Sequence, residues 1–229
     1  MVDGASSDGT DKWLDLLEEK SLKWSSEPDK GIFDAMNKGI EKSSGDYLIF
    51  MNASDQFNGN NILADIHYHI GLHNSRPYFI YGDAIDITSS SKTFLKLANP
   101  HKSINKTMFT SHQAMIFDRV FGLEHGILYP LEFRYTADYA YIALYLKQID
   151  EHDRILKLNF PFCRFLLGGT NEIHRYKALE EDYQIRIKIL KMNILTAGLL
   201  YILHLIHTFI KKNIPQFSNM LRYKNNNSA

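Results

Sequence analysis

Between Gly31 and Asp55 the chain runs through an amphipathic helical segment, a glycine stop, five consecutive apolar residues and a polar turn ending in a carboxylate. Ile32, Phe33, Met36 and Ile40 recur at helical spacing and predict a helix over Gly31 to Ser44, with Gly45 as its stop. Tyr47-Leu48-Ile49-Phe50-Met51 then reads as a strand buried on both faces. Helix, strand and polar turn in that order point to an α/β chain with a parallel sheet. Elsewhere in the first two-thirds, Asp11 to Lys20 predicts a helix capped by Thr10, and Tyr135 to Lys147 one opened by Thr136. Further strands are expected at Tyr78 to Tyr81, Ala114 to Phe117 and Ile155 to Phe160. After Gly168-Gly169 the composition turns long, basic and aliphatic, predicting a helix from Lys177 to Lys212 that Pro215 ends. The chain thus divides into residues 1–176 and a helical tail, 177–229.

Composition narrows the class. With 229 residues, 45% of them hydrophobic, the chain can bury a core without a disulfide framework, and its single cysteine, Cys163, has no internal partner. Lys plus Arg (26) balances Asp plus Glu (26), so there is no basic excess to neutralise a phosphate backbone, and nucleic acid is not an expected partner. The opening residues, Met1 to Gly9, are small and acidic where a secretory signal needs an apolar stretch, which places the protein in the cytoplasm.

The tail qualifies that placement. Met192 to Ile210 carries no charge, approaches spanning length, and is flanked by Arg186, Lys188 and Lys191 on one side and Lys211-Lys212 on the other. Asn193, Thr196, His204, His207 and Lys211 form a narrow polar stripe on an otherwise aliphatic helix. That pattern predicts a helix lying on the inner face of the cytoplasmic membrane, with packing on the rest of the chain and a true span as alternatives. His204 and His207 have metal-pair spacing but no evident third ligand.

Three stretches carry groups suited to chemistry. In Ser26-Glu27-Pro28-Asp29-Lys30-Gly31 and the helix after it, Asp34, Asn37 and Lys38 share a face, and a helix start offers N–H groups to a phosphate or sugar hydroxyl. A capped, solvated helix explains the same residues. Asn52-Ala53-Ser54-Asp55 follows the predicted strand, where ligands sit in open parallel sheets. The hard oxygens there suit Mg²⁺ or Mn²⁺ completed by substrate phosphates. A simple Asx-type turn is the alternative. Asp138, two residues beyond Thr136, sits in the first turn of a helix, where the dipole alone favours a carboxylate.

Together the segments resemble the family 2 glycosyltransferases of GT-A fold, in particular bacterial enzymes of capsule, O-antigen and exopolysaccharide synthesis. The resemblance rests on Ser26-Glu27-Pro28-Asp29-Lys30-Gly31-Ile32-Phe33-Asp34-Ala35-Met36-Asn37-Lys38-Gly39-Ile40, on Gly45-Asp46, and on Asn52-Ala53-Ser54-Asp55. The opening Val2-Asp3-Gly4-Ala5-Ser6-Ser7-Asp8-Gly9-Thr10 is similar to the family's V-D-G-x-S-x-D-G-T turn. His112-Gln113, Ala137-Asp138-Tyr139 and Gly168-Gly169-Thr170 follow in the family's order, so the resemblance covers about Val2 to Thr170.

The resemblance implies a Rossmann-like, mostly parallel sheet flanked by helices. It also implies inverting transfer of a sugar from a nucleotide-diphospho-sugar to a saccharide or lipid-linked acceptor. Asp138 would be the catalytic base. Asp3, Asp34, Asn37, Lys38, His112 and Gln113 would line the donor pocket, with Asp3 toward the nucleoside, and Asp55 would hold Mg²⁺ or Mn²⁺ against the diphosphate. Two departures stand out. Asn52 and Ser54 leave Asp55 with no second carboxylate beside it. The family's first strand and helix, normally ahead of V-D-G-x-S, are not in the sequence, which predicts an exposed sheet edge and a second reading as a truncated, noncatalytic assembly partner at the membrane.

Overall fold

The computed structural model describes residues 1–17, 21–169 and 173–213. In chain order the elements are β1 (Val2–Asp3), α1 (Thr10–Asp15), β2 (Ser25–Ser26), α2 (Ile32–Lys42), β3 (Tyr47–Ile49), β4 (Gln56–Phe57), α3 (Ile62–Leu72), β5 (Phe79–Ile87), β6 (Thr93–Lys96), β7 (Met115–Asp118), α4 (Arg119–Glu124), α5 (Ala137–Lys147), β8 (Ile155–Leu166), α6 (Arg175–Lys188) and α7 (Ile194–Asn213). A six-stranded sheet runs β3-β7-β5-β8-β4, with β6 on β5, while β1 and β2 form a separate parallel ladder. The α/β layering follows the prediction, but the expected mostly parallel sheet does not. Of the pairings in the large sheet, β5–β8 is parallel, and β3–β7, β5–β7, β4–β8 and β5–β6 are antiparallel. The local helix–strand–turn pattern gives no information on which strand comes between β3 and β5, and β7 enters there antiparallel. This leaves β3 at the end of the sheet path, half-buried at Tyr47 and Ile49 instead of covered on both faces.

Strand alternation separates two cores. Phe79, Tyr81, Met115 and Phe117 point to one face and pack with α2, α5 and Ile185 of α6. Ile80, Ala84, Ala114 and Ile116 point to the other and pack with Ile62 and Ile66 of α3. Helix α5 is buried nearly all round, as expected of a helix whose apolar residues do not keep to one stripe. Its tyrosines satisfy their hydroxyls on main chain: Tyr139 donates to Ile104 at 2.7 Å and Tyr145 to Asp118 at 2.7 Å. Strands β5 and β8 run longer than predicted, and β8 continues through Pro161 where its register with β5 shifts. Gly82 sits in that shift because a Cβ there would lie 2.4 Å from the Phe162 ring.

The tail is two helices, not one. Backbone turns at Lys191, whose φ of 53° is left-handed, and α7 folds back on α6. Ala197 and Thr208 are buried and Tyr201 meets Tyr183 at 5.7 Å, so one flank of α7 covers α6. The predicted polar stripe divides: His204 turns toward α6 while Thr196 and His207 are exposed. The first helix ends at Asp15, short of the predicted Lys20, and Gly9 stands at its N-cap position with Thr10 as its first residue; residues 18–20, Thr170 and the stop at Pro215 lie outside the described residues.

Candidate active site

Asp3 ends β1 and is buried. Its carboxylate accepts from the Ser6 amide at 3.0 Å, the Ser6 hydroxyl at 2.5 Å and the Ser26 hydroxyl at 2.6 Å. Those donors, the Ser26 hydroxyl foremost, hold it below the usual carboxylate range. Gly4, the next residue, lets the Asp29 carboxylate approach closely, since a Cβ there would lie 2.3 Å from Asp29 Oδ2. The Val2–Gly4 turn and the Pro28-Asp29 turn are therefore held together, and α2 packs across β1.

On α2 the three predicted donor-site residues fall into two surroundings, Asp34 with Lys38 beside the Pro28-Asp29 turn and Asn37 against Tyr129. Asp34 accepts from the Lys30 amide at 3.0 Å and lies 3.7 Å from the Lys38 ammonium. Lys38 donates to the Pro28 carbonyl at 2.7 Å and so pins that turn to the helix. The Asn37 side chain is used on both sides by Tyr129: its Nδ2 donates to the Tyr129 carbonyl at 3.0 Å and its Oδ1 accepts from the Tyr129 amide at 2.8 Å.

Tyr129 is the hub that sequence reading missed. Its ring stacks on Tyr141 of α5 at 4.1 Å and on Phe33 of α2 at 5.7 Å, and its hydroxyl meets His112 Nε2 at 2.9 Å. His112 also stacks on Phe50 at 5.3 Å, and burial lowers its pKa to about 4, so it is a neutral imidazole at neutral pH. The neighbouring Gln113 points its amide to Asp55, donating to Oδ2 at 2.7 Å. Asp55 closes a turn in which its amide donates to the Asn52 carbonyl at 3.1 Å and Ser54 takes a left-handed φ of 76°. Partial burial raises the Asp55 pKa from its ordinary value, with Gln113 opposing.

Asp138 occupies the first turn of α5, half-buried, with Oδ1 accepting from the Tyr139 amide at 2.8 Å. Loss of hydration, with the Asp182 and Glu181 charges adding, raises its pKa to about 6. Asp138 is close enough to act electrostatically on Tyr129. Hydrogen bonds thus link Asp55 to Gln113 and link His112 and Asn37 to Tyr129, between α2 and the turn ahead of β7, while Asp138 on α5 acts on Tyr129 through its charge. Asp3 joins through β1 and α2.

Two other residues escaped sequence reading. Glu181 and Asp182 on α6 look like ordinary helix-surface acids, yet Glu181 accepts from three main-chain amides ahead of α5 and Asp182 is buried. Thr136 is the N-cap of α5 as predicted, but its side chain makes no capping bond. Among the described residues no group of three His, Cys, Asp or Glu side chains is arranged to hold a metal ion. A divalent ion held at Asp55 would have one protein carboxylate and would need its remaining oxygens from substrate and water, as Mg²⁺ commonly does with phosphates. Cys163 is buried with its thiol pushed up to about 12, which suits packing and not nucleophilic chemistry.

A family model described as "Glycosyl transferase family 2" matches residues 1–123. An uncharacterized glycosyltransferase of Mycobacterium tuberculosis is 42% identical over 64 residues, covering 28% of this chain and 24% of that protein. A PGL/p-HBAD biosynthesis glycosyltransferase of Mycobacterium bovis is 33% identical over 91 residues, covering 37% of this chain and 34% of that protein. The matches therefore span a quarter to a third of these relatives' length. Among solved structures, S. aureus TarS 1–349 in complex with UDP-GlcNAc superposes with a TM-score of 0.59 at 14% identity, over 93% of this chain and 64% of that one. The mannosyltransferase PcManGT from Pyrobaculum calidifontis, in complex with GDP-Man and Mn²⁺, superposes with a TM-score of 0.57 at 14% identity, over 87% and 59%. At that identity the two likenesses speak for the GT-A fold alone.

Proposed function

Because the chain belongs to glycosyl transferase family 2, we propose that its site transfers a sugar, with inversion, from a nucleotide-diphospho-sugar to a saccharide or lipid-linked acceptor in surface-polysaccharide synthesis. The observation that carries this reading is Asp138: a carboxylate in the first turn of a core helix, within electrostatic reach of Tyr129, with its pKa raised to about 6. A base with that proton affinity is deprotonated at neutral pH and still accepts a proton from an attacking hydroxyl, a role worth about 10²–10⁴-fold.

The remaining residues divide between binding and framing. Asp3, fixed by Ser6 and Ser26, offers an ionised carboxylate to the hydroxyls of a nucleoside. Asp34 and Lys38 keep the Pro28-Asp29 turn and the start of α2 in place beside it. Asn37 and His112 fix Tyr129, which lies within electrostatic reach of Asp138. Gln113 orients Asp55, the carboxylate that would hold Mg²⁺ or Mn²⁺ together with the donor diphosphate. When bound, such an ion supplies positive charge to the departing nucleoside diphosphate.

The same reading puts the protein on the inner face of the cytoplasmic membrane. Helix α7 is long and apolar enough to cross a membrane by length and composition, but one flank is committed to α6. The opposite flank, Leu195, Leu199, Ile202, Ile206 and Phe209, is exposed, and Lys191 and Lys212 are exposed at its two ends. A one-sided apolar helix with basic ends suits an anionic lipid surface, where a lipid-linked acceptor would be found. The transfer reaction is tested by incubating the protein with UDP- and GDP-sugars, a divalent ion and membrane extract, and resolving the product anomer by NMR. An inverted glycoside is the expected product. No donor binding by calorimetry, together with stable co-purification of another transferase, favours the noncatalytic reading.

A further inference from the structure

The N-cap of α5, Thr136, makes no side-chain capping bond, and the main-chain amides of the segment leading into the helix need an acceptor from elsewhere. The satisfaction comes from α6. Glu181 Oε1 accepts from the Arg134 amide at 2.9 Å, and Oε2 accepts from the Tyr135 amide at 2.8 Å, the Thr136 amide at 2.9 Å and the Thr136 hydroxyl at 3.2 Å. Both oxygens of one carboxylate thus fix three consecutive residues that end two positions before Asp138. One turn further along α6, Arg186 lies over the ring of Tyr139, the residue after Asp138, at 5.8 Å, and donates to the Lys106 carbonyl at 2.8 Å. Helix α6 therefore grips α5 on both sides of Asp138.

We propose that Glu181 is a positioning residue for Asp138: from α6 it holds the start of α5 by three main-chain N–H groups and sets where the Asp138 carboxylate stands. This rests on the reading of Asp138 as the base. A carboxylate placed this way does two things at once. It removes the freedom of the segment carrying the base, which matters because small misplacements of a reacting group are costly. It also brings a negative charge near Asp138, opposing ionisation there. The other charged or titratable groups around the base are Asp182, Arg175 and Arg186 on α6, Tyr129 ahead of α5, and His204 of α7 behind Arg186. Arg175 lies 3.9 Å from the Asp182 carboxylate and Arg186 acts on it through its charge, so the two cations offset the Asp182 charge.

The test compares the full-length protein with its Glu181→Gln, Glu181→Asp and Asp138→Asn variants, using the nucleotide-sugar that the native chain turns over. Glu181→Gln is expected to lower kcat about tenfold with donor KM within about twofold, in keeping with lost orientation and unchanged binding. The acid limb of kcat/KM is expected to move to lower pH, because a neutral side chain no longer opposes ionisation of Asp138. Hydrogen exchange at the Arg134, Tyr135 and Thr136 amides should accelerate. Glu181→Asp keeps the charge and shortens the reach, so kcat should fall with the limb in place, and this variant gives the answer if Glu181→Gln folds poorly. Native kcat in Glu181→Asp, or native kcat and an unmoved limb in Glu181→Gln while Asp138→Asn has lost turnover, would overturn the inference and leave the reading of Asp138 standing. Full turnover by Asp138→Asn would remove the base itself, and the inference with it.

Discussion

The two carboxylates at the ends of the site live in opposite surroundings. Asp55 stands on a short turn beside an edge strand, held by one side-chain donor, Gln113. Asp138 stands on a helix buried nearly all round, with two further carboxylates behind it on α6. Asp55 is half-buried with Gln113 as its side-chain donor, and in the proposed reading it would be the carboxylate that holds the cation. The enclosure around Asp138 instead favours a bound proton, since burial and like charge both oppose ionisation. Two residues of one chemical type are thus set apart by what surrounds them, and the proposed function gives them different work.

That division can be broken from either end. The largest effect is expected from Asp138→Asn: turnover should fall about 10²–10⁴-fold with donor affinity unchanged, measured by initial rates and calorimetry. Asp55→Ala should act mainly on binding, weakening the donor about tenfold or more and abolishing any response to Mg²⁺ or Mn²⁺, read by titrating donor with and without the ion. If the two variants had interchangeable phenotypes, the division of labour would be wrong. Gln113→Leu sharpens the Asp55 side, since it removes a support and keeps the carboxylate. A several-fold weaker response to the ion is expected from rates measured against ion concentration. Tyr129→Phe tests the frame between the two ends. It deletes the hydroxyl that meets His112 and should cost about 1–2 kcal/mol in urea unfolding, with the ring stacking intact. On the tail, Leu199→Glu with Ile206→Glu should reduce sedimentation with anionic vesicles and leave soluble turnover unchanged.

How much of this was legible depends on how local the signal is. Helices α2 and α5 lie within two residues of their predicted limits because spacing and punctuation mark them in the sequence itself. Strand β3 stops at Ile49, two residues early, because Phe50 leaves the ladder to stack on His112, a partner far along the chain. The mixed pairing of the sheet, the hub at Tyr129 and the reach of Glu181 into α5 all depend on residues distant in sequence, and no local pattern announces them. The tail shows the same limit. Its run from Lys177 to Lys212 reads as continuous helix, and the break at Lys191 carries neither glycine nor proline. The resemblance names the motif residues but not their surroundings: both polar atoms of the Asn37 side chain, and Nε2 of His112, are engaged with Tyr129.

The account turns on a base whose proton affinity is set by its enclosure, and the pH dependence of kcat/KM for the native protein reads that property most directly. Activity should be flat near neutrality and fall as pH drops through about 6, where Asp138 takes up its proton. A profile that stays flat down to the ordinary carboxylate range near pH 4 would contradict it.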